Sequence, residues 1–292
     1  MKIALYGRPF DCRFDSQIRQ MLTYLEQSGF EIWVHDAFHQ FLSKHFKIQL
    51  SGPVFSTIHE IKSPIEMLLS IGGDGTMLES AKLVGNTGIP MLGINTGRLG
   101  FLSSVAVEDI EKALNAVKEG EFDLEERSML HLSTPKNLFG NQNFALNELT
   151  VYRRDSASMI TIHTYIDGNF LNSYWADGLI ISTPTGSTGY SLSCGGPILH
   201  PQSESFVITP IAPHNLNVRP FVVADTSTIV IKVEGRKEKF IASLDSATET
   251  ISAETELTIT KSLFGTRLVR LKNEHFFRTL TNKLNWGLDK RN

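Results

Sequence analysis

Apolar residues in the first part of the chain form short runs separated by helical repeats. Between Asp15, which is expected to cap a helix, and Gly29, which is expected to end it, apolar residues recur at helical spacing. The same spacing predicts helices at residues 76–84 and 108–118. Four apolar runs have the length of buried strands, and they occupy residues 2–6, 31–34, 66–71 and 90–94. Strands that alternate with helices predict right-handed crossovers, a mostly parallel sheet and hence an α/β domain.

The pattern changes near Phe122, after which period-two alternation replaces the helical repeat. Alternating apolar positions and turn signals continue to Phe264, and Asp167-Gly168 predicts a hairpin turn. The basic stretch "GRKEKF" at residues 235–240 lies between two predicted strands, which favours a solvated hairpin tip. We therefore expect an all-β second domain.

The last segment returns to helical spacing, with Asn273 as the expected cap. Four apolar residues form one face of this helix: Phe276, Phe277, Leu280 and Leu284. That face has to be buried, and we expect it to pack on the first domain or on the junction between the two domains. The predicted domains are an α/β domain at residues 1–123, on which a C-terminal helix at residues 268–292 packs back, and a β domain at residues 124–267.

The composition is that of an ordinary globular protein, and it excludes several classes. The 292 residues are 41% hydrophobic and 20% charged, and a net charge of −3 argues against a nucleic-acid-binding surface. Cys12 and Cys194 are too few for a disulfide framework or a zinc cluster. The first apolar run is too short for a signal peptide, and no stretch approaches the roughly 18 apolar residues of a membrane helix. We expect a reduced, cytoplasmic protein with neither nucleic acid nor a membrane as its partner.

Three glycine-rich stretches are candidate ligand loops. "GGDGT" at residues 72–76 joins a predicted strand to a helix start, which favours a bound phosphate, yet it contains Asp74. The second stretch, "GINTGRLGF", spans residues 93–101, and the third spans residues 176–197. Each of them alone is equally well explained as a tight turn. In an open α/β sheet, however, loops at the carboxyl ends of neighbouring strands form a ligand crevice, which a second domain can close.

The third stretch, "ADGLIISTPTGSTGYSLSCGGP", is rich in hydroxyl groups around Gly186 and Gly189. Hydroxyl and backbone N–H groups suit phosphate and ribose oxygens. The stretch lacks the lysine of a Walker A motif and the spacing of a nucleophile elbow, and a polar hairpin is the alternative. Asn147 and Glu148 lie between apolar neighbours, so they either hold ribose hydroxyls or occupy an exposed edge. Asp177, which precedes the hydroxyl-rich segment, is a further candidate, or else part of a simple turn.

The histidines are weaker candidates. His35 and His39 are one helical turn apart, but their aromatic neighbours favour packing over a metal site. His200 and His214 each lie beside a proline, which favours a structural role. No histidine has the sequence partners of a serine or cysteine nucleophile.

Taken together, the glycine-rich stretches and their neighbours resemble the NAD kinase family. The first piece, "GGDGT", also occurs in diacylglycerol and sphingosine kinases and, more loosely, in phosphofructokinases, whereas "TPTGSTGYS" with "PHNLNVRP" is highly specific. Five pieces match in the family's order over most of the chain: "GGDGT" at 72–76, "GINTGRLGF" at 93–101, "NEL" at 147–149, "DGLIISTPTGSTGYSLSCGGP" at 177–197 and "PIAPHNLNVRP" at 210–220.

The resemblance implies a fold, an activity and a set of partners. The fold is a Rossmann-like, phosphofructokinase-like α/β domain followed by a C-terminal β-sandwich. The activity is transfer of the γ-phosphoryl group of ATP to the 2′-hydroxyl of the adenosine ribose of NAD, giving NADP and ADP. A divalent cation, expected to be Mg²⁺ with ATP, is the implied cofactor, and a homodimer or homotetramer is the implied assembly.

The resemblance also implies roles for individual residues. Asp74 is the expected proton acceptor, with Gly75 lining the NAD site beside it. Asn147 and Glu148 are expected to hold the nicotinamide-side ribose, and Asp177 to contact the nicotinamide end. The adenosine half is expected to be wrapped by Thr188, Gly189, Tyr190, Ser191, Leu192 and Ser193, with backbone lining from Ala212. The expected phosphate-binding residues are Gly72, Gly73 and Thr76.

The chain departs from the family pattern at three positions. Gly189 stands where alanine is frequent, which predicts a looser loop, and Ala247 stands where a glutamine is frequent, so no polar contact is expected from it. Trp175 stands where some members carry a polar residue, and this change can alter discrimination between NAD and NADH. Two other functions are alternatives: a lipid kinase, supported only by residues 72–76, and a non-catalytic nucleotide sensor.

Overall fold

The computed structural model describes residues 1–48, 50–97, 99–154, 158–235, 239–272 and 274–286. The chain divides into two compact units, and each is described by itself. The first unit comprises Met1–Glu126 and Thr266–Asn292, and the second comprises Arg127–Gly265. Among the described residues, none of the helices has the length and apolar character that a membrane crossing requires.

The regular elements are numbered in chain order. The α-helices are α1 (Asp15–Gln27), α2 (Asp36–Phe41), α3 (Asp74–Val84), α4 (Ile110–Lys118), α5 (Tyr190–Ser193) and α6 (Phe276–Leu284). The strands of the first unit are β1 (Lys2–Gly7), β2 (Glu31–His35), β3 (Val54–Phe55), β4 (Met67–Ile71), β5 (Met91–Asn95), β6 (Val105–Ala106), β7 (Phe122–Arg127) and β20 (Thr266–Leu271). The strands of the second unit are β8 (Leu130–Thr134), β9 (Phe144–Ala145), β10 (Glu148–Arg153), β11 (Ile160–Ile166), β12 (Asn169–Ala176), β13 (Gly178–Ser182), β14 (Ser205–Ile211), β15 (Phe221–Ala224), β16 (Ile229–Glu234), β17 (Lys239–Leu244), β18 (Ala247–Ser252) and β19 (Glu256–Lys261).

The first unit is built on an eight-stranded sheet with the order β3-β2-β1-β4-β5-β20-β7, and β6 pairs with β5. Its pairs from β3 through β20 are parallel. Every residue of β4 and β5 is buried, which is why these strands are continuous apolar runs rather than alternating ones. The predicted α/β class and mostly parallel sheet are confirmed, and the loops after β4 and β5 leave neighbouring strand ends.

Two helix starts differ from the sequence-based expectation. The prediction that Asp15 caps α1 is wrong, because residues Cys12–Phe14 form a 3₁₀ turn and Asp15 is already helical. Asp11 caps that turn instead, accepting the backbone N–H of Arg13 at 2.9 Å. The predicted cap of the last helix, Asn273, lies outside the described residues. In the structure α6 follows His275, whose Nδ1 accepts the backbone N–H of Arg278 at 3.2 Å.

The second unit consists of two six-stranded antiparallel sheets, with orders β15-β14-β13-β10-β17-β18 and β12-β11-β16-β19-β8-β9. One hydrophobic core contains inward-facing residues of both sheets, such as Val151 from the first and Ile231 from the second. This arrangement confirms the predicted β-sandwich. The hairpin at Asp167-Gly168 is confirmed as well, since both residues have positive φ and join β11 to β12.

The prediction of a hairpin at residues 235–240 is wrong. The strands on either side, β16 and β17, belong to different sheets, so the connection crosses from one sheet to the other. Residues 236–238 themselves lie outside the described part of the chain.

Candidate active site

Asp74 is the first residue of α3, directly after the glycine turn that follows β4. Gly72 has φ of +150°, and a Cβ atom there would lie 2.2 Å from Oγ1 of Thr76. The turn therefore requires glycine so that β4 can end close to the first turn of the helix. The backbone N–H of Thr76 closes this turn by donating to the carbonyl of Gly73 at 3.0 Å.

The carboxylate of Asp74 is held by the backbone of residues 101–103. Oδ2 accepts the N–H of Phe101 at 2.8 Å, and Oδ1 accepts the N–H groups of Leu102 at 3.0 Å and Ser103 at 3.1 Å. A carboxylate oxygen has two lone pairs, so Oδ1 is saturated whereas Oδ2 keeps one acceptor position. The side chain of Asp74 is half-buried. The structure thus leaves one oriented acceptor on this residue for a ligand hydroxyl.

Gly100 makes the approach of Asp74 to this loop possible. A Cβ atom at Gly100 would lie 1.7 Å from Oδ1 of Asp74, so any larger residue would displace the carboxylate. The backbone N–H of Gly100 donates to the carbonyl of Ser103 at 3.2 Å, which closes the loop around the carboxylate. Arg98, within the same sequence stretch, lies outside the described residues.

A cavity of about 420 Å³ lies against the start of α3. It is lined by the predicted phosphate-binding residues Gly72, Gly73 and Thr76, and by Gly75. Asp74 itself does not line it, because its carboxylate is turned towards residues 101–103. Backbone N–H groups and the positive end of the helix dipole favour an anion at such a position.

Two arginines that the sequence analysis did not single out line the same cavity. Arg8 and Arg13 belong to the loop between β1 and α1, and Asp11 lines the cavity between them. Arg8 forms an ion pair with Glu79 of α3, and Tyr6 donates to the same carboxylate at 2.7 Å. Burial, together with this bond to Glu79, raises the pKa of the Tyr6 hydroxyl, which therefore stays protonated.

Arg13 lies over the ring of Phe14, and the distance from its guanidinium carbon to the ring centroid is 4.8 Å.

A second cavity, of about 510 Å³, lies within the second unit. This volume is that of a small-molecule site. Three predicted NAD-binding residues, Glu148, Asp177 and Tyr190, come together in its wall. The remaining lining residues are Thr150, Tyr152, Arg153, Ile211, Ser243 and Asp245.

The surroundings of Glu148 in this cavity favour its neutral form. Burial, and secondly the negative charge of Asp245, raise the pKa of Glu148 from 4.5 to about 8. Its Oε2 is buried without a hydrogen-bond partner, which makes it available to a polar ligand. The amide oxygen of Asn147 is buried and unpaired in the same way. Asn147 and Glu148 therefore carry two unsatisfied polar atoms, but Asn147 does not line the cavity, and their contact with a ribose stays a prediction.

Asp245 lies at the two-residue turn between β17 and β18, with φ of +51°. Its carboxylate accepts three consecutive backbone N–H groups, those of Leu146, Asn147 and Glu148, at 2.9 to 3.0 Å. No role is predicted for Asp245 from the sequence. Its three hydrogen bonds show that it fixes the segment that carries Asn147 and Glu148.

Most hydroxyl groups of the third glycine-rich stretch hold its own loop rather than face the cavity. Thr183 donates to the carbonyl of Leu146 at 2.5 Å, and Ser187 donates to that of Pro184 at 2.6 Å. Ser191, predicted to contact NAD, is fully buried and shares a hydrogen bond of 2.8 Å with Thr209. In the structure the side chains of Thr183, Ser187 and Ser191 support the loop, and the contact of Ser191 with NAD stays a prediction.

The other predicted NAD contacts do not line the cavity. They are Thr188, Gly189, Leu192, Ser193 and Ala212, and their roles stay predictions. Ala212 is exposed and has φ of +43°, a rare conformation for a residue with a Cβ atom. Trp175 is 45% exposed, and its ring centroid lies 4.2 Å from that of His214.

Arg153 is a further residue of the cavity wall that was not predicted from the sequence. Its Nη2 donates to the carboxylate of Asp177 at 3.0 Å, and both side chains are about 30% exposed. The backbone N–H of Arg153 also donates to the carbonyl of Asp177 at 3.0 Å. Arg153 thus fixes the orientation of Asp177 at the cavity wall.

The described residues contain no group of three or more histidine, cysteine, aspartate or glutamate side chains that could hold a metal ion by themselves. Mg²⁺ does not require such a cage, because in phosphoryl-transfer sites it is bound by one or two carboxylates, water and the substrate phosphates. Asp11, which lines the cavity at α3, is the carboxylate that fits this role.

An α/β unit with a carboxylate at its glycine turn, combined with a β-sandwich, is the architecture of a class of nucleotide-dependent phosphotransferases. Family models match both units: the ATP-NAD kinase N-terminal domain matches residues 10–122, and the ATP-NAD kinase C-terminal domain matches residues 146–271. The chain therefore belongs to the ATP-NAD kinase family.

Individual relatives agree with this membership. The chain is 48% identical to the NAD kinase of Cytophaga hutchinsonii and 47% identical to that of Flavobacterium psychrophilum, each over the full length of both chains. An NAD kinase from Archaeoglobus fulgidus, solved in complex with ATP, is 29% identical, with a TM-score of 0.75 over 98% of this chain and 99% of that one. Yeast NADH kinase, solved with NADH, shares the fold at 24% identity, with a TM-score of 0.86 over 99% of this chain and 89% of that one.

Proposed function

We propose that this chain is an NAD kinase, which transfers the γ-phosphoryl group of ATP to the 2′-hydroxyl of the adenosine ribose of NAD. The observation that carries the proposal is the carboxylate of Asp74, fixed by three backbone N–H groups with one acceptor position left on Oδ2. Relatives that match over their full length and bear the name NAD kinase support it. No feature of the described residues favours a lipid kinase or a non-catalytic sensor instead.

The reaction asks little covalent chemistry of the protein. The bond between the ribose 2′-oxygen and the γ-phosphorus forms as the bond to the β–γ bridging oxygen breaks, ADP leaves, and the hydroxyl proton passes to Oδ2 of Asp74. The transition state of phosphoryl transfer is loose, so the hydroxyl becomes acidic only late in the reaction. A carboxylate that orients the hydroxyl and takes its proton late is sufficient for this step.

The phosphates of ATP bind in the cavity at the start of α3. The backbone N–H groups of Gly73 and Gly75, the side chain of Thr76 and the helix dipole attract them, and Arg8 and Arg13 supply positive charge. Asp11 would be the chain's carboxylate ligand for the divalent cation, which is expected to be Mg²⁺ with ATP. The cation would supply charge neutralisation for the phosphates.

NAD binds to the cavity of the second unit. Glu148 and Asn147 hold a ribose through their unsatisfied oxygens, and Asp177, oriented by Arg153, contacts the nicotinamide end. Tyr190 packs against the adenosine half, with further contacts from Thr188, Gly189, Leu192, Ser193 and Ala212 and the loop held by Ser191. Trp175 is the residue whose replacement is expected to change the preference between NAD and NADH.

The protein is expected to assemble as a homodimer or homotetramer in the cytoplasm. An edge strand supports the assembly: β15 ends its sheet among the described residues, and Phe221 and Val222 on it are 45% and 43% exposed. Exposed apolar residues on an unpaired strand edge favour pairing with another chain. Sizing by light scattering tests this part of the proposal, and a monomer would contradict it.

The activity is tested by incubating the protein with Mg-ATP and, separately, NAD, NADH, diacylglycerol or no acceptor. In the incubation with NAD, the expected result is the formation of NADP and ADP in equal amounts. A phosphorylated lipid as the main product, or nucleotide binding without turnover, would overturn the proposal. Inorganic polyphosphate in place of ATP determines the donor in the same experiment.

A further inference from the structure

Arg270 on β20 binds two partners with one guanidinium group. Its Nε donates to Oε2 of Glu125 at 2.9 Å, and its Nη2 donates to the backbone carbonyl of Phe101 at 3.2 Å. The side chains of Arg270 and Glu125 are only 13% and 17% exposed. Glu125 lies on β7, the neighbour of β20 in the sheet, so the ion pair is anchored in two strands.

The carbonyl that Arg270 binds belongs to the peptide group between Phe101 and Leu102. The N–H of that same peptide group, from Leu102, donates to Oδ1 of Asp74 at 3.0 Å. A trans peptide group is planar, with its C=O and N–H pointing in opposite directions. Arg270 and Asp74 therefore hold a single peptide plane from its two sides, and each hydrogen bond strengthens the other through the polarised amide.

We propose that Arg270, oriented by Glu125, is a positioning residue for Asp74, acting through the peptide plane between Phe101 and Leu102. The inference rests on the proposed role of Asp74 as proton acceptor. Without the guanidinium the plane is free to rotate, which weakens the bond to Oδ1 and lets the carboxylate turn away from the acceptor hydroxyl. The guanidinium suits this task because its planar fork serves a carboxylate and a carbonyl at once, which an ammonium group on a flexible stem does not.

Lys283 gives a second support to the loop at residues 101–103, which holds the carboxylate of Asp74. Its ammonium nitrogen lies 6.0 Å from the centroid of the Phe101 ring, so the residue whose carbonyl is bound by Arg270 also contacts α6. The loop that holds Asp74 is thus supported by two elements from the last part of the chain, β20 and α6.

Kinetics on Arg270→Met, Arg270→Lys and Glu125→Gln test the proposal. Misplacing a catalytic group by about 1 Å can cost about 100-fold in rate, so Arg270→Met should lower kcat by roughly 10- to 100-fold. The KM values for ATP and NAD should change by less than about threefold, because neither cavity includes Arg270. Arg270→Lys keeps the charge but serves only one acceptor well, so its kcat should be intermediate, and Glu125→Gln should resemble it.

Arg19 provides a matched control. Its Nε binds the carboxylate of Asp15 and its Nη2 donates to the backbone carbonyl of Phe46, so it has the same kinds of partners away from Asp74. Arg19→Met should leave kcat unchanged. If Arg270→Met does not fold, Arg270→Lys decides, since it should keep the melting temperature of the parent and still lower kcat. A folded Arg270→Met variant whose kcat stays within about threefold of the parent's overturns the proposal.

Hydrogen exchange measured by mass spectrometry separates this inference from the proposed function. In Arg270→Met the bond from the guanidinium to the Phe101 carbonyl is lost, and the bond from the Leu102 N–H to Asp74 is weakened. Amide exchange in the peptide covering residues 99–103 should therefore accelerate about tenfold. It should stay unchanged in Arg19→Met. If the parent does not phosphorylate NAD, the proposed function fails, and exchange alone then judges the peptide-plane contact. Unchanged amide exchange at residues 99–103 in Arg270→Met would contradict the inference, whether or not the protein phosphorylates NAD.

Discussion

Asp74 and Asp245 hold their neighbouring segments in the same way. Each carboxylate accepts three consecutive backbone N–H groups, from residues 101–103 and 146–148 respectively. Asp74 does so at the start of a helix and Asp245 at a hairpin turn. The two residues can therefore be compared with each other. Replacement by asparagine removes one acceptor oxygen at either position, whereas only the carboxylate of Asp74 is proposed to take a proton.

Asp74→Asn should lower kcat by about 10²- to 10⁴-fold, the range of general-base catalysis. The amide nitrogen of asparagine cannot accept the N–H of Phe101 or a hydroxyl proton, so both functions of Oδ2 are lost. Asp245→Asn loses the comparable loop contact and tolerates the positive φ, and it should mainly raise the KM for NAD. Steady-state kinetics of both variants check this, and equal losses of kcat would show that Asp74 is structural.

Gly100→Ala should lower kcat by roughly 100-fold, because its methyl group would take the place of the Asp74 carboxylate. Gly97→Ala is the matched control in the same loop. A Cβ at Gly97 meets only Oδ1 of Asn95, at an ordinary 3.5 Å, so this variant should keep its kcat. Thermal unfolding accompanies the assay to confirm that both variants fold. A Gly100→Ala variant as active as Gly97→Ala would disprove the steric argument.

Arg13→Ala should raise the KM for ATP by about 10- to 100-fold, since a hydrogen bond from a charged group to phosphate contributes about 1.5–3 kcal/mol. The KM for NAD should stay the same, because Arg13 lines only the cavity at α3. Lys44→Ala, which removes an exposed basic residue that does not line this cavity, controls for net charge. Equal KM changes for both substrates would contradict the assignment of this cavity to the phosphates.

Glu148 should make the stability of the protein fall as the pH rises. The unfolded chain releases the Glu148 proton near pH 4.5, whereas burial raises the pKa of Glu148 in the folded protein to about 8. Between these values the folded state binds the extra proton, so the free energy of unfolding falls by up to about 1.4 kcal/mol per pH unit. Glu148→Gln should remove this slope.

Urea unfolding at pH 5, 6, 7 and 8 measures the effect of Glu148. Glu249→Gln, which replaces an exposed carboxylate on β18, should keep the slope of the parent. If the parent and Glu148→Gln lose stability equally between pH 5 and pH 8, Glu148 is ionised in the folded protein and the proposed neutral carboxyl is wrong.

The sequence predicts four strands of the first unit, β1, β2, β4 and β5, because buried apolar runs are a direct signal. It does not predict β3, β6, β7 or β20, and the start of the expected C-terminal helix at residues 268–271 is wrong because these residues belong to β20. β4 and β5 are wholly buried runs, and the glycine turn between β4 and α3 marks Asp74. The partners of Asp74 could not be predicted, because backbone N–H groups carry no sequence signal. The sequence shows a glycine at position 100 but not why glycine is needed there. The cause is the carboxylate of Asp74, which lies 26 positions earlier in the chain and leaves no room for a Cβ atom.

The three arginines that line the cavities were not predicted from the sequence. Arg8, Arg13 and Arg153 come from loops or strand ends, where a charged residue is ordinarily solvated and follows no periodic pattern. Their partners are brought to them by folding, as Asp177 is to Arg153. The hydroxyl-rich stretch shows a related difficulty, because Ser187 and Ser191 have the chemistry of ligands, whereas in the structure they are buried and bonded within the protein, which the sequence does not reveal.

The place of β20 in the sheet has a consequence for synthesis. This strand lies between β5 and β7, yet it follows the whole second unit in the chain. At about 5–20 residues per second, a ribosome needs roughly 7–30 s to translate the second unit before β20 emerges. Throughout that interval β5 is paired only with β4 and β6, and β7 lacks the strand beside which it lies in the finished sheet. A message truncated ahead of residue 266 yields a chain whose Asp74 loop never receives Arg270.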